Sequence, residues 1–275
     1  MSILRSAICA LIFIDGSLGR GPLKARRVPE QLNSALCSTT PPGLWCENDA
    51  LAKECGWDLA CSEYKKGVYN KPVQITLLYE SLCPGCQRFI QQQLYPAFKA
   101  FPSTHLKIEL VPYGNAKIQG DEIVCQHGAE ECQINKFESC VIDSMETQDV
   151  FMPYIFCLEQ QLSNKIPFDK AQSKCFRTLN VTDDVQRMTQ SCLVSKLSRE
   201  LQMNAAKRTN DVQPEKHHFV PWILFNNVSL ESAQFLQADL TSVICQWYKG
   251  DKPAPACQAE QKRLARKLEK SWKFD

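Results

Sequence analysis

Pro72-Val-Gln-Ile-Thr-Leu-Leu-Tyr79, then Glu80, then Ser81-Leu82-Cys83-Pro84-Gly85-Cys86, is the stretch on which the reading of this 275-residue chain turns. The opening run is β-branched and apolar, as a buried strand requires. Beyond the C-x-x-C, Phe89, Ile90, Leu94 and Phe98 recur at helical spacing between Gln87 and Ala100, and Leu106-Lys-Ile-Glu-Leu-Val-Pro112 alternates as a second strand. A cysteine placed where a strand ends and a helix begins meets unsatisfied N–H groups and the positive end of the helix dipole. Such a thiol moves from about 8.5 toward roughly 3.5–7.5. Pro84 suits the first helical position, because its missing N–H has no intrahelical acceptor there and its φ is already fixed. Gly85 leaves room for a substrate backbone. Cys83 is therefore expected as the exposed nucleophile that attacks a substrate disulfide, and Cys86 as the shielded partner that resolves the mixed disulfide. A zinc site is disfavoured because the chain has no second C-x-x-C, and neither metal nor cofactor is expected.

Downstream, Glu122 to Asn210 is helical in pattern and studded with cysteines, a helical insertion over about 122–210. Val185, Met188, Cys192, Leu197 and Leu201 are expected on one apolar face, with Thr182 as N-cap and Asp183 and Asp184 favourable in the first turn. Strand character returns at Phe219–Phe225, a turn at Asn226-Asn227 follows, and a helix is expected from Ser232 to Tyr248. The whole order predicts an α/β, thioredoxin-like fold over 72–250 with a disulfide-rich helical insertion. Folds of that kind set a cis-proline against the active cysteine, which makes Val220 and Pro221, with Pro84 and Gly85, the expected substrate-binding residues. The basic segment 251–275 is expected to be a solvated amphipathic tail.

Composition narrows the setting. The chain carries 32 Lys+Arg against 30 Asp+Glu, net +2, so there is no electrostatic footprint for nucleic acid. Fifteen cysteines imply redox chemistry or an oxidising compartment. Met1–Arg5 is positively charged, Ser6–Ile14 is mostly apolar, and small residues follow, so 1–19 reads as a secretory signal peptide. Its removal takes Cys9 and leaves an even number. No later run approaches ~18 apolar residues, so no transmembrane anchor is expected. Sequons at Asn180 and Asn227 are candidate glycosylation sites. Within 33–65, Cys37, Cys46, Cys55 and Cys61 predict a small cysteine-stapled module, helical over Glu47–Ala60. With Pro42-Gly43, Trp45 and Gly56, its pattern resembles the saposin A-type module.

Cys125-Gln126-His127-Gly128-Ala-Glu-Glu131-Cys132-Gln-Ile-Asn135-Lys-Phe-Glu-Ser-Cys140 is the longest motif. It resembles the signature of the gamma-interferon-inducible lysosomal thiol reductase family, and Val111-Pro-Tyr-Gly-Asn-Ala116 and Val220-Pro-Trp222 are similar to that family too. The resemblance spans about Pro72 to Cys257. It implies a protein disulfide reductase of acidic endosomes and lysosomes, acting on disulfide-bonded proteins through Cys83 and Cys86; a small-thiol electron donor is expected as its partner. Read without the family, Cys132 and Cys140 lie on one helix face and suit disulfide anchoring. His127-Gly128 reads as a turn, and Gln126, His127, Glu131 and Asn135 read as scaffold. His217 and His218 read as surface residues. Two other functions remain open on the residues: a secretory-pathway disulfide oxidase or isomerase, separated by the reduction potential of the pair, and a non-enzymatic disulfide-rich secreted binding protein.

Overall fold

In the computed structural model, which describes Cys37, Cys46 and residues 48–271, the buried run is strand β1 (Val73–Tyr79), and all but one of its residues are buried. Both faces are covered, which is why it reads as continuous rather than alternating hydrophobicity. β2 (Leu106–Pro112) pairs with it in parallel, from Val73 opposite Leu106 to Tyr79 opposite Pro112. A parallel pair needs a crossover. That connection is α3 (Pro84–Phe89), a π-helical turn (Ile90–Leu94) and α4 (Tyr95–Ala100). Pro96 has no N–H to give the preceding turn, and the ladder relaxes to π spacing just before it.

The insertion expected from about 122 turns helical only at Ala129: Gly120, at φ +59°, turns a small hairpin first, β3 (Lys117–Gln119) with β4 (Glu122–Val124). The insertion itself is five helices: α5 (Ala129–Met145), α6 (Gln148–Ser163), α7 (Phe168–Thr178), α8 (Asp183–Val194) and α9 (Lys196–Asn210). Disulfides Cys140–Cys192 and Cys157–Cys175 tie α5 to α8 and α6 to α7. Phe137, Tyr154, Phe168 and Phe176 meet in tilted and edge-on contacts inside it. The chain returns through β5 (Trp222–Phe225), antiparallel to β1, and β6 (Val228–Ser229), giving the sheet order β2-β1-β5-β6. Asn226 and Asn227 turn the hairpin with φ of 48° and 66°, a conformation asparagine tolerates. A 3₁₀ segment (Glu231–Asp239) and α10 (Leu240–Trp247) then close the unit.

This is the thioredoxin-like α/β arrangement. One sheet face (Ile75, Leu77, Tyr79) packs on the crossover, the first insertion helices and α10. The other (Leu78, Trp222, Leu224) packs on Ala205 and Ala206 of α9. Cys83 thus follows the carboxyl end of a central strand with helices on both sides.

Several boundaries differ from those expected. The single apolar face through Val185 and Leu201 is broken at Ser195, whose extended backbone and hydroxyl cap α9; Met188 and Leu197 consequently point to solvent. The strand expected from Phe219 begins at Trp222, and the helix expected from Ser232 is 3₁₀ until Asp239 caps α10. The C-terminal segment is docked at its start rather than solvated throughout: Ala254 is buried just before α11 (Pro255–Ser271), which is tied by Cys245–Cys257, buries Glu260, and pairs Arg263 with Asp239 and Glu260.

The chain forms two compact units dividing after Cys61. In the first, Cys37–Cys55 and Cys46–Cys61 are disulfides, and Asn48 caps α1 (Asp49–Glu54). Gly56, at φ +71°, interrupts the helix expected over Glu47–Ala60, and α2 (Asp58–Val68) starts afresh beyond it. The expected signal peptide lies outside the described residues.

Candidate active site

Cys83 is the N-cap of α3, and its Sγ accepts from the Cys86 N–H at 3.3 Å. Pro84 opens the helix as expected. Among the described residues Cys83 and Cys86 are the two free thiols, and every other described cysteine is paired. The Cys86 thiol, donating to Cys83, leads the causes that pull Cys83 down to about 6; N–H groups of Cys86 and Gly85 and the His127 charge assist, against desolvation. Burial pushes Cys86 far in the other direction. The pair is divided into one thiol that ionises and one that holds its proton.

Cys83 is less open than the sequence suggests, at 8% exposed. The loop before β5 covers it: its thiol faces the Val220 carbonyl at 3.8 Å, and the Val220–Pro221 peptide bond is cis. Gly85 lies beneath the same loop, where a Cβ would come 3.3 Å from Pro221 Cδ and 3.7 Å from Cys83 Sγ. Pro84, Gly85, Val220 and Pro221 therefore surround one sulfur. Rapid alkylation of Cys83 followed against pH should give a midpoint near 6, with Cys86 labelled only after unfolding; a Cys83 midpoint near about 8.5, that of a free thiol, would contradict this geometry.

The signature segment reaches the same place. Gly128, at φ +88°, starts α5, and Cys125–Cys132 pins the preceding loop to the first turn. The second half of the segment is anchored by Cys140 to α8. Between them, His127 Nδ1 lies 2.5 Å from Glu131 Oε2 and 3.5 Å from Glu80 Oε2. Asn135 Oδ1 accepts from Ser81 N–H at 3.0 Å, and Gln87 Nε2 donates to Ser81 O at 2.8 Å, so the loop before Cys83 is held from two helices. Gln126 accepts from Asn115 Nδ2 at 2.7 Å. These residues do scaffold, but what they scaffold is the approach to Cys83. Glu80 is the member that sequence reasoning missed, together with Asn115, whose N–H donates to Glu80 Oε1 at 2.6 Å. Burial, then the Glu131 charge, push Glu80 up to about 7. It stands three residues before Cys83, where sequence alone gives no sign that it is buried.

Gly114 sits at φ +57°, where an added Cβ would collide with the Glu80 side chain. Gly114→Ala should cost about 1–2 kcal/mol through the positive φ alone and displace Glu80, read as a lower urea midpoint.

His217 is half-buried and held below the usual imidazole range by desolvation, while His218 is exposed. Asn180 and Asn227 are both exposed. A cavity of about 400 Å³ beside β2, α5 and α9 contains neither cysteine; one of about 360 Å³ beside the site is lined by Leu82, His127, Leu162, Ile166 and Pro167. No described helix is long and apolar enough to cross a membrane.

The family profile described as "Gamma interferon inducible lysosomal thiol reductase (GILT)" matches residues 74–179. "Gamma-interferon-inducible lysosomal thiol reductase" of Carassius auratus is 34% identical, covering 81% of this chain and 86% of its own. "Gamma-interferon-responsive lysosomal thiol protein" of Arabidopsis thaliana is 31% identical, covering 74% and 82%. Among solved structures, oxidoreductase DsbA of Xylella fastidiosa aligns at a TM-score of 0.42 and 11% identity, over 64% of this chain and 86% of that one.

Proposed function

The chain belongs to the gamma-interferon-inducible lysosomal thiol reductase family and is a thiol–disulfide oxidoreductase; from that premise we propose that it reduces protein disulfides at acidic pH in endosomes or lysosomes. Cys83 is the nucleophile and Cys86 the resolving thiol. The observation that carries this reading is the split between them: a helix-capping thiol lowered to about 6 beside one that keeps its proton. At pH 5 a thiol titrating near 6 is about one-tenth thiolate, against roughly three in ten thousand for a free thiol near 8.5. That difference of about 300-fold is what makes thiolate chemistry workable in acid.

The Cys83 thiolate attacks one sulfur of the substrate disulfide, the substrate S–S bond breaks, and the departing thiolate takes up a proton. Cys86 then loses its proton, attacks the Cys83 sulfur, and releases the second substrate thiol. The substrate gains two electrons and the Cys83–Cys86 pair is oxidised to a disulfide, which two equivalents of a small-thiol donor return to the dithiol. The Val220 main chain beside Cys83, and the absence of a side chain at Gly85, leave the substrate backbone a path over the sulfur. An expected signal peptide over 1–19, six disulfides among the described residues, and relatives named as lysosomal support the acidic, oxidising route. Asn180 and Asn227 are assigned as glycan acceptors, and the two-disulfide N-terminal unit as saposin A-type.

The test is reduction of a denatured disulfide protein with a small-thiol donor at about pH 4.5 and about pH 7. Activity favouring acid supports the reading. Activity confined to neutral pH, with a pair potential above that of the glutathione pool, would assign the chain to oxidase or isomerase chemistry instead.

A further inference from the structure

We propose that Glu80, His127 and Glu131 form a binding site for a divalent cation of the zinc class at the edge of the redox centre. Their donor atoms, one from each side chain, lie within 4.8 Å of one another. Both carboxyl groups are fully buried. Each has one oxygen already fixed by a backbone N–H, Glu80 Oε1 by Asn115 at 2.6 Å and Glu131 Oε1 by His127 at 3.0 Å. The second oxygen of each is thereby aimed at His127 Nδ1. Outer hydrogen bonds of this kind orient ligands in metal sites.

An independent sign is Glu80 Oε2, which is buried and has no hydrogen-bond partner among the described residues. A buried polar atom left so is costly unless something satisfies it. Among the described residues, the one basic side chain paired with either carboxyl group is His127. Two buried carboxyl groups facing one imidazole offer a dication two oxygens and a nitrogen, and binding it would release the protons they hold.

One nitrogen and two oxygens suit Zn²⁺, whose bonds of about 2.0–2.2 Å put tetrahedral ligands about 3.3 Å apart. The 3.5 Å separation of Nδ1 from Glu80 Oε2 already fits, and the 2.5 Å contact with Glu131 Oε2 would open as the cation takes the place of the shared proton. The His127 side chain is 36% exposed, leaving an entry side and room for a water as fourth ligand. Neither cysteine sulfur is among the converging donors, so the site is distinct from a dithiol–zinc complex. The set joins the residue after β1 to the start of α5, far apart in sequence and without paired cysteines.

The test uses the full chain carrying Cys83→Ser and Cys86→Ser, so that no described free thiol can bind metal, titrated with ZnCl₂ by calorimetry at neutral pH after chelator treatment. One equivalent should bind, and His127→Ala and Glu131→Gln should each weaken it about tenfold or more. Circular dichroism checks that each variant is folded, and Co²⁺ absorption in the parent, lost in His127→Ala, reports inner-sphere coordination without depending on the buried glutamate variant. Absence of binding overturns the proposal. So does binding that survives His127→Ala and disappears in His217→Ala/His218→Ala.

Discussion

Cys83→Ser should lower reduction of a denatured disulfide protein on the order of a thousand-fold or more, whereas Cys86→Ser should stop turnover at a different point, with substrate covalently attached to Cys83. The two outcomes follow from the geometry of a single helical turn. Cys83 is placed where its sulfur accepts the Cys86 N–H and meets the end of the helix, and its charge is stabilised before substrate arrives. Cys86 is wholly buried beneath it. No substrate sulfur can reach Cys86 first, but Cys86 can reach the sulfur of Cys83 once that is part of a mixed disulfide. Serine at 83 removes the attacking group, and serine at 86 removes the one that detaches the product. Non-reducing electrophoresis and intact mass at about pH 4.5 distinguish them: an adduct in Cys86→Ser, none in Cys83→Ser. Equal activity in both variants, or an adduct on Cys86, would refute the assigned roles.

How much of this was legible in the sequence depended on the distance over which each residue's environment is set. β1, the Cys83 cap and the crossover helix are local features. A run of apolar residues, a C-P-G-C and a 3.6 period specify them without reference to the rest of the chain. Val220-Pro221 could be placed because element order brings β5 back beside β1, although the residues are far apart in sequence. Glu80 could not, because a carboxylate after a strand reads as a solvated turn until Asn115 and the His127 loop are seen to enclose it. The disulfides were illegible for the same reason: Cys132 and Cys140 share a helix, yet one closes the short loop to Cys125 and the other reaches α8. Ser195 shows the opposite failure, since the helical period continues across it while the backbone does not; a serine cap outweighed the pattern.

Glu138 and Glu159 lead to the second large effect, a stability that falls as the medium is neutralised. In sequence they are ordinary polar helix positions. In the fold both are fully buried, on α5 and α6, facing each other and the Tyr79 hydroxyl, with none of their four oxygens in a well-formed hydrogen bond among the described residues. Burial pushes Glu138 up to about 7, and burial followed by the Glu138 charge pushes Glu159 well above the usual carboxylate range. Their folded-state values thus stand above the unfolded value of about 4.3. The native state then holds protons that the unfolded chain has released, and stability declines with rising pH. The contribution is complete below about pH 4 and is lost as pH rises through about 7 and beyond. Urea unfolding at about pH 5 and about pH 7.5 should show the lower free energy at 7.5. Cys83 has the opposite sign, since its lowered value adds stability above about 6, so the comparison belongs in a Cys83→Ser background. Glu138→Gln and Glu159→Gln keep the shape without the charge, and their difference from the parent isolates the pair from other titrating groups. Each should flatten the pH dependence and raise stability at 7.5; a parent whose stability is level or rises between the two pH values, unchanged by either substitution, would show that the pair ionises without cost. Because α6 packs directly on α3 and the π turn, ionisation at neutral pH would loosen the support under Cys86, so the acid range that leaves Cys83 reactive is also the range in which its scaffold is firmest.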